Sequence, residues 1–149
     1  MAIPSSIIGI FTSFIPGFRL IDGGQLKSMA EQLFSYQTGI ASIVDGTYLT
    51  STPLTAQYSV VTTSTSSNTD GVTLPFAIPG REVWVENRTA NTITVFGAGA
   101  NPITGTTDGI IPNASTSATA GNTGVTQATA IMAVYKCAVA GTWKKGSVA

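Results

Sequence analysis

The sequence contains no histidine, a single cysteine and few charged side chains. Seven Lys and Arg balance seven Asp and Glu, so only 9% of the 149 residues are charged, against a usual share of about 25%. A chain without histidine lacks the side chain that titrates near neutral pH and is the commonest metal ligand. Seven scattered cations cannot form the basic surface that nucleic acid binding requires, so we expect no nucleic acid partner. A net charge of zero also excludes disorder driven by charge repulsion.

The one cysteine, Cys137, excludes an internal disulfide and is compatible with a reducing compartment. It lies in the run 131–138, where the adjacent cation, Lys136, falls on the opposite face of the predicted strand, so no cation is placed to stabilise a thiolate. We therefore predict that Cys137 is buried and acts as a small apolar side chain.

The remaining residue types do not form a catalytic pattern. Nucleophilic triads need histidine, and a zinc site would have only Cys137 and carboxylates as ligands. Glu82 and Glu86 are four residues apart on a predicted strand, a span of about 13 Å that is too long for a glycosidase pair. We expect no enzymatic activity, no cofactor and no bound metal. Four aspartates each precede a glycine, as is typical of turns: Asp22, Asp45, Asp70 and Asp108.

Residues 1–20 form an apolar segment that we interpret as an N-terminal arm. Its first positive charge, Arg19, follows the apolar stretch, and prolines and glycines interrupt that stretch. Both features argue against a signal peptide and a membrane-spanning helix, so we expect no membrane partner. Apolar side chains at this density must be covered, either by their own domain or by a neighbouring chain. The candidate interface residues of the arm are Ile7, Ile8, Ile10, Phe11, Phe14, Ile15 and Phe18.

A short helix is predicted over residues 21–39. Asp22 is a candidate N-cap with Gln25 three residues later, as in a capping box. Gly39 would end the helix. Apolar residues recur at helical spacing and indicate a core or subunit contact: Leu26, Met29, Ala30, Leu33 and Phe34.

Residues 40–149 are predicted to form a β domain. Segments rich in Val, Ile, Thr and aromatic residues alternate with clusters of Ser, Thr, Asn, Asp and Gly, as in proteins built from short strands and turns. The fold class is therefore mainly β, a β-sandwich or jelly roll, preceded by the apolar arm and the short helix. The predicted strands are 40–49, 57–62, 71–76, 81–87, 92–97, 127–137 and 142–148.

Alternation in two neighbouring segments predicts a β-hairpin. One inward face would contain Val83 and Val85 from the first segment and Ile93 and Val95 from the second. This arrangement requires Val85 to lie opposite Ile93. The connecting loop would then be residues 88–90. This register places Trp84 and Phe96 together on the other face, covered either by a second layer of the chain or by a partner. Trp84 and Phe96 are therefore candidate interface residues.

The C-terminal segment also alternates, with apolar residues on both faces between 128 and 137. Such a strand is expected in the centre of a sheet. The Ala140-Gly141 pair predicts a turn into a closing strand that contains Trp143.

Three segments of the chain share a pattern with a known family: 23–40, 71–105 and 132–145. The pattern consists of turn and core positions, in chain order 72–75, Gly80, Val83, Val85, Asn87, 93–96, Ile103, Gly105 and 141–143. In this pattern the chain resembles small virion structural proteins of tailed bacteriophages, most of all the capsid cement, or decoration, proteins of short-tailed phages.

The resemblance implies a jelly-roll domain that binds the exterior of an assembled head. It further implies a homo-oligomer, dimer or trimer, that bridges subunits of the major capsid protein. The protein would be made in the cytoplasm of the host bacterium and reside on the capsid exterior of the virion. The low charge suits a subunit packed against many copies, because repulsion does not accumulate.

The alternative is a tail-associated or fibre module that binds a host-surface receptor or glycan. In that case three aromatic residues are the expected ligand contacts: Trp84, Trp143 and Tyr135.

Overall fold

The computed structural model of the chain describes residues 35–44, 46–66, 69–120 and 122–146, and the backbone at 18–21, 25–28 and 147–148. The chain divides into two units, Met1–Phe34 and Ser35–Ala149. In the first unit, β1 (Phe18–Ile21) and β2 (Gln25–Ser28) pair antiparallel. The described part of the second unit contains the strands β3 (Tyr36–Ala41), β4 (Thr52–Pro53), β5 (Tyr58–Thr63), β6 (Gly71–Thr73), β7 (Glu82–Asn87), β8 (Ile93–Phe96), β9 (Gly109–Ile111), β10 (Val125–Gln127), β11 (Ile131–Val139) and β12 (Thr142–Val148).

The fold is mainly β, and the described strands of the second unit form two sheets. One sheet has six strands in the order β3-β5-β7-β11-β12-β9, and the other has four in the order β10-β8-β6-β4. From β3 to β11, each strand lies in the opposite sheet from the strand before it. Among the described strands of the second unit, only β11 and β12 are both consecutive in the chain and neighbours within a sheet.

Residues 36–96 wind through both sheets as three successive coils. β3, β5 and β7 lie parallel and side by side in the six-stranded sheet. β4, β6 and β8 have the same arrangement in the four-stranded sheet. Residues at corresponding positions of successive coils therefore lie side by side on adjacent parallel strands. Parallel pairing in this part of the chain departs from the predicted jelly roll, whose strands pair antiparallel.

A single buried apolar cluster receives side chains from both sheets. Val85 and Tyr135 enter it from the six-stranded sheet, and Val72 and Ile93 enter it from the four-stranded sheet. Along β7, burial alternates from residue to residue, as expected for a strand with one face in the core. The predicted inward orientation is confirmed for Val83, Val85, Ile93 and Val95.

The predicted hairpin between β7 and β8 is wrong. β7 pairs with β5 and β11, and β8 pairs with β6 and β10. Val85 and Ile93 therefore belong to different sheets. Alternation determines which face of a strand is buried, but it does not identify the strand that pairs with it.

Asn87 organises the corner at which the chain passes from β7 to β8. Its Oδ1 accepts hydrogen bonds from the Thr89 N–H at 3.0 Å and the Thr89 hydroxyl at 2.8 Å. Its Nδ2 donates to the backbone oxygen of Asn91 at 2.8 Å. The fully buried amide thus satisfies the backbone of a sharp turn between the sheets.

The prediction of a central C-terminal strand is confirmed. β11 lies between β7 and β12, with Ala133, Tyr135 and Cys137 in the core. Gly141, with φ +79°, lies in the predicted turn between β11 and β12. The predicted strand 127–137 is divided, because Ala130 adopts φ +57° between β10 and β11.

The helix predicted over 21–39 is wrong where the structure describes those residues. Gln25–Ser28 is a strand paired with Phe18–Ile21, and β3 begins at Tyr36, before the predicted start of the β domain at residue 40. The Asp-Gly-Gly sequence between β1 and β2 is typical of hairpin loops, and this tendency competes with the N-cap interpretation of Asp22. Parallel pairing with β5 supplies the backbone hydrogen bonds of β3. The rest of the predicted helix lies outside the described residues.

Candidate functional site

Three segments meet at the end of the second unit where β3, β5 and β7 begin. We call them the loop end: residues 74–81, 97–108 and 139–141. Ala77 is their common contact. Its N–H donates to Asp108 Oδ2 at 2.6 Å, and its carbonyl oxygen accepts from Asn101 Nδ2 at 3.1 Å and from the Gly141 N–H at 3.0 Å.

The side chains that hold the loop end are fully buried. Asp108 and Asn101 have no exposed surface, and Asn101 Nδ2 also donates to Asp108 Oδ1 at 2.7 Å. Asn101 Oδ1 accepts from the Ile103 N–H at 2.9 Å. Both carboxylate oxygens of Asp108 therefore have donors, as a buried carboxylate requires. Gly97 is needed beside this network, because a β-carbon there would lie 2.0 Å from the Asp108 carbonyl oxygen.

Each of the three segments carries an exposed apolar side chain. Phe76 is 39% exposed, Ile103 is 58% exposed and Val139 is 67% exposed. Exposed apolar side chains on well-fixed loops are typical of surfaces that bind a partner. The geometry therefore makes the loop end a candidate protein-binding surface.

An aromatic row crosses the outward face of the six-stranded sheet. We give this name to Tyr36, Tyr58 and Trp84, which are register partners on β3, β5 and β7. The Tyr36 and Tyr58 rings stack with centroids 5.6 Å apart and planes at 23°. Tyr36 is 59% exposed, whereas Tyr58 and Trp84 are partly covered. Stacking arises because the coiled chain places equivalent positions on adjacent parallel strands.

Two carboxylates on β7 flank Trp84, one on each side. Glu82 Oε1 accepts from Trp84 Nε1 at 2.6 Å, and Glu82 Oε2 lies 3.1 Å from Lys136 Nζ. Glu86 Oε1 accepts from Arg88 Nε at 2.6 Å. Each carboxylate thus has a cationic partner, and these two pairs carry no net charge.

Tyr58 is tied to the Glu86 carboxylate. Its hydroxyl donates to Glu86 Oε2 at 2.5 Å, and Arg88 Nη2 donates to the same oxygen at 3.1 Å. The hydrogen bonds from Arg88 and then Tyr58 hold the pKa of Glu86 below its usual value. The same Glu86 hydrogen bond raises the pKa of Tyr58. Glu86 is therefore ionised and Tyr58 is a neutral donor near neutral pH.

A cleft of ≈ 500 Å³ borders the aromatic row. Its lining includes Ser35 and Gln57, which immediately precede Tyr36 and Tyr58 in the chain. Arg81 also lines it and is held in place, since its guanidinium donates to the Phe76 carbonyl oxygen at 3.0 Å. The cleft thus lies between the aromatic row and the loop end.

The structure separates the two aromatic residues that the hairpin register places on one face. Trp84 lies on the outward face of the six-stranded sheet, whereas Phe96 lies in the four-stranded sheet and is 6% exposed. The chain itself therefore covers Phe96. The arm residues at positions 7, 8, 10, 11, 14 and 15 lie outside the described residues, and for Phe18 only the backbone is described, in β1.

The aromatic contacts expected of a glycan-binding module are corrected in two of three cases. Trp143 and Tyr135 are fully buried in the core, so Trp84 alone of the three reaches the surface. Sequence patterns do not single out Tyr36, Phe76, Ile103 or Val139 as surface contacts. A weak signal is present for Tyr36, since the aromatic residues at 36, 58 and 84 each lie near the start of a β-rich segment.

Cys137 is buried in the core, as predicted, and burial raises the pKa of its thiol. In the parts of the chain that the structure describes, no group of three or more Cys, Asp or Glu side chains is placed to hold a metal ion. Within the same parts, no helix has the length and apolar character needed to cross a bilayer.

Comparison with known proteins finds no matching family model, no matching curated protein and no matching solved structure.

Proposed function

We propose that the protein is a virion structural protein of a tailed bacteriophage that decorates and stabilises the capsid as a cement protein. The loop end is the observation that carries this proposal. Its apolar tips at Phe76, Ile103 and Val139 are exposed. The buried Asp108 and Asn101 fix the segments that carry Phe76 and Ile103, and the Gly141 N–H joins the segment of Val139 to the Ala77 carbonyl oxygen. A pre-organised surface of this kind loses little conformational entropy on binding. The sequence resemblance points to the major capsid protein as the partner.

The two sheets, which share one core, are proposed to form a β-sandwich. In this arrangement the coils between 36 and 96 make a stiff body. The loops between strands can then present contacts at its end. The turn and core positions that carry the resemblance fall mainly on β6, β7 and β8 and on the loops that follow them.

Binding to a capsid lattice requires only modest individual contacts. An oligomer that engages several capsid subunits raises the effective concentration for each later contact. We propose that the protein is a homo-oligomer, a dimer or trimer, that bridges neighbouring capsid subunits on the virion exterior. Since the tips are apolar and the net charge is zero, binding should change little with moderate salt.

The test is binding to undecorated heads of the phage that encodes the protein. The variant Phe76→Ser/Ile103→Ser/Val139→Ser should bind these heads at least about tenfold more weakly than the wild-type protein. Ile131→Ser is the matched control, because Ile131 is 37% exposed and pairs with Asn87 at the end of β7 opposite the loop end. Equal binding by the triple variant would contradict the assignment of the loop end.

The apolar arm remains a predicted contact between chains. Replacing Phe11 and Phe14 with serine in the full chain should shift the sedimentation coefficient toward that of the monomer. An unchanged coefficient would argue that the arm packs on its own chain.

A further inference from the structure

We infer that the aromatic row and its flanking charges form a binding site for a neutral oligosaccharide. This site lies on different residues from the loop end and does not depend on the proposed cement function. Its elements are a stacking surface at Tyr36 and a hydrogen-bonding group made by Glu86 and Arg88.

The stacking surface is the outer ring face of Tyr36. Tyr58 covers one face of this ring, at a centroid distance of 5.6 Å. Tyr36 lies on β3, the edge strand of the six-stranded sheet, and no described strand lies beyond it. At 59% exposure, the ring presents an apolar surface of the size of a pyranose ring. A pyranose offers an apolar C–H face that suits this contact, and aromatic rings are efficient, rigid anchors for it.

The hydrogen-bonding group lies beside the stacking surface and is already in place. Glu86 is fixed by two hydrogen bonds from Arg88 and one from the Tyr58 hydroxyl. Its carboxylate accepts hydroxyl protons, and the half-exposed Arg88 guanidinium donates to hydroxyl oxygens. Charge-assisted bonds of this type are the stronger ones in proteins. Fixed partners also reduce the ordering cost on binding.

Charge complementarity indicates that the ligand is neutral. The groups that flank the row are two carboxylates, Glu82 and Glu86, with one cationic partner each, Lys136 and Arg88. Arg81 lines the adjoining cleft, where its guanidinium donates to the Phe76 carbonyl oxygen. Both carboxylates would repel the phosphate groups of a nucleic acid. A cationic peptide would have to compete with Lys136 and Arg88 for the same two carboxylates. A neutral ligand with apolar faces and hydroxyl edges can stack on the aromatic rings and form hydrogen bonds with the paired charges. It is neither repelled by the carboxylates nor in competition with their cationic partners.

The length of the row indicates a chain of sugars rather than a single one. Three parallel strands span about 10 Å between the outer backbones. The lining of the cleft of ≈ 500 Å³ includes Ser35 and Gln57, the residues that immediately precede Tyr36 and Tyr58. Two adjoining sugar rings would occupy the row, and a third would reach the cleft beside Gln57 and Glu82.

The test titrates the full chain with cellohexaose, maltohexaose and chitohexaose, with Trp fluorescence and calorimetry as readouts. Trp84 is the reporter, because the other tryptophan, Trp143, is fully buried. We expect saturable binding of at least one of these probes below about 10 mM. An oligothymidylate of similar length is the competing probe and is expected not to bind.

Two substitutions of Tyr36 separate the loss of ring stacking from a loss of folding. Tyr36→Ala should weaken binding of the sugar probe about tenfold, whereas Tyr36→Phe, which keeps the ring, should retain it. Glu86→Gln should weaken binding by a similar factor, and Leu49→Ala should leave it unchanged. Circular dichroism would verify that each variant is folded.

Any of three results would overturn the inference. These are no saturable binding of any of the three oligosaccharides, equal binding by the wild-type protein and Tyr36→Ala, or binding of oligothymidylate in place of sugars. Because the loop-end variant leaves Tyr36 and Glu86 intact, it should keep sugar binding while losing head binding. Failure of one proposal is therefore distinguishable from failure of the other.

Discussion

The hydroxyl of Tyr135 donates a hydrogen bond of 3.0 Å to Gln127 Oε1 inside the core. Tyr135 lies in the centre of the six-stranded sheet, and Gln127 lies on the edge strand of the four-stranded sheet. The amide nitrogen of Gln127 completes the connection by donating to the carbonyl oxygens of Val85 at 2.7 Å and Ile131 at 3.0 Å. One buried side chain thus joins the two sheets through polar contacts.

Replacing Gln127 with alanine should lower the free energy of unfolding by about 3 kcal/mol, because it leaves buried polar groups unpaired and opens a cavity. Thr126→Ala is the control on the same strand, where the side chain is exposed. It should change the value by less than about 0.5 kcal/mol. Urea unfolding followed by fluorescence measures both, and similar losses for the two variants would refute the role of Gln127.

Asp108→Asn should loosen the loop end. The new amide must direct its NH2 toward the Ala77 N–H or the Asn101 Nδ2, both of which are donors. We expect a loss of about 1–3 kcal/mol in stability and weaker binding to undecorated heads, with sugar binding unchanged. The control is Thr126→Ala, because the exposed Thr126 side chain lies on β10, outside the loop end. Head binding that is insensitive to Asp108→Asn would argue against a pre-organised surface.

Two glycines should respond differently to alanine. A β-carbon on Gly97 would meet the Asp108 carbonyl oxygen at 2.0 Å, so Gly97→Ala should cost about 3 kcal/mol or more. Gly80 has φ +87°, but a β-carbon added to it would meet no atom within 4 Å, so Gly80→Ala should cost about 1 kcal/mol through backbone strain alone. Chemical denaturation should rank the two in this order, and the reverse order would contradict the packing at Gly97.

Acid should destabilise the fold through Asp70. Burial alone would raise the pKa of this carboxyl group, but hydrogen bonds, the first from the Thr65 N–H at 2.6 Å, outweigh burial and hold the pKa below 3.8. A folded-state pKa below the unfolded one adds stability that is fully present above about pH 4 and is lost as the pH falls from there toward the folded-state pKa. Asp70→Asn should flatten the decline of unfolding free energy below that pH. Part of the slope should remain, since the pKa of Glu86 is lowered too. Parallel profiles for the two proteins would count against Asp70.

Much of the strand content could be predicted from the sequence, whereas the pairing of the strands could not. Val83, Val85, Ile93 and Val95 alternate with other residues, so their burial follows from the period of a strand. The same alternation is compatible with a hairpin between β7 and β8 and with a coil that passes from one sheet to the other. Which of the two forms depends on the turn at Asn87. The side-chain hydrogen bonds of Asn87 turn the chain toward the other sheet. Local propensity does not report such contacts.

The two candidate surfaces could not be predicted from the sequence either, because long-range contacts form them. Asp108 precedes a glycine, which predicts a turn, but its contact with Ala77 spans 31 residues of chain. Likewise, local spacing places Tyr36 in a helix, but the residue pairs with Tyr58 across parallel strands. Long-range contacts determine both surfaces, so neither is visible in short windows of sequence.

We propose that this protein binds the capsid exterior through its loop end. Electron microscopy of undecorated heads, reconstituted with the full chain, tests it most directly. We predict ordered density on the outer surface, at junctions between major capsid protein subunits, with residues 74–81, 97–108 and 139–141 against the shell. Heads that remain bare at saturating protein, or density confined to the tail, would contradict the claim.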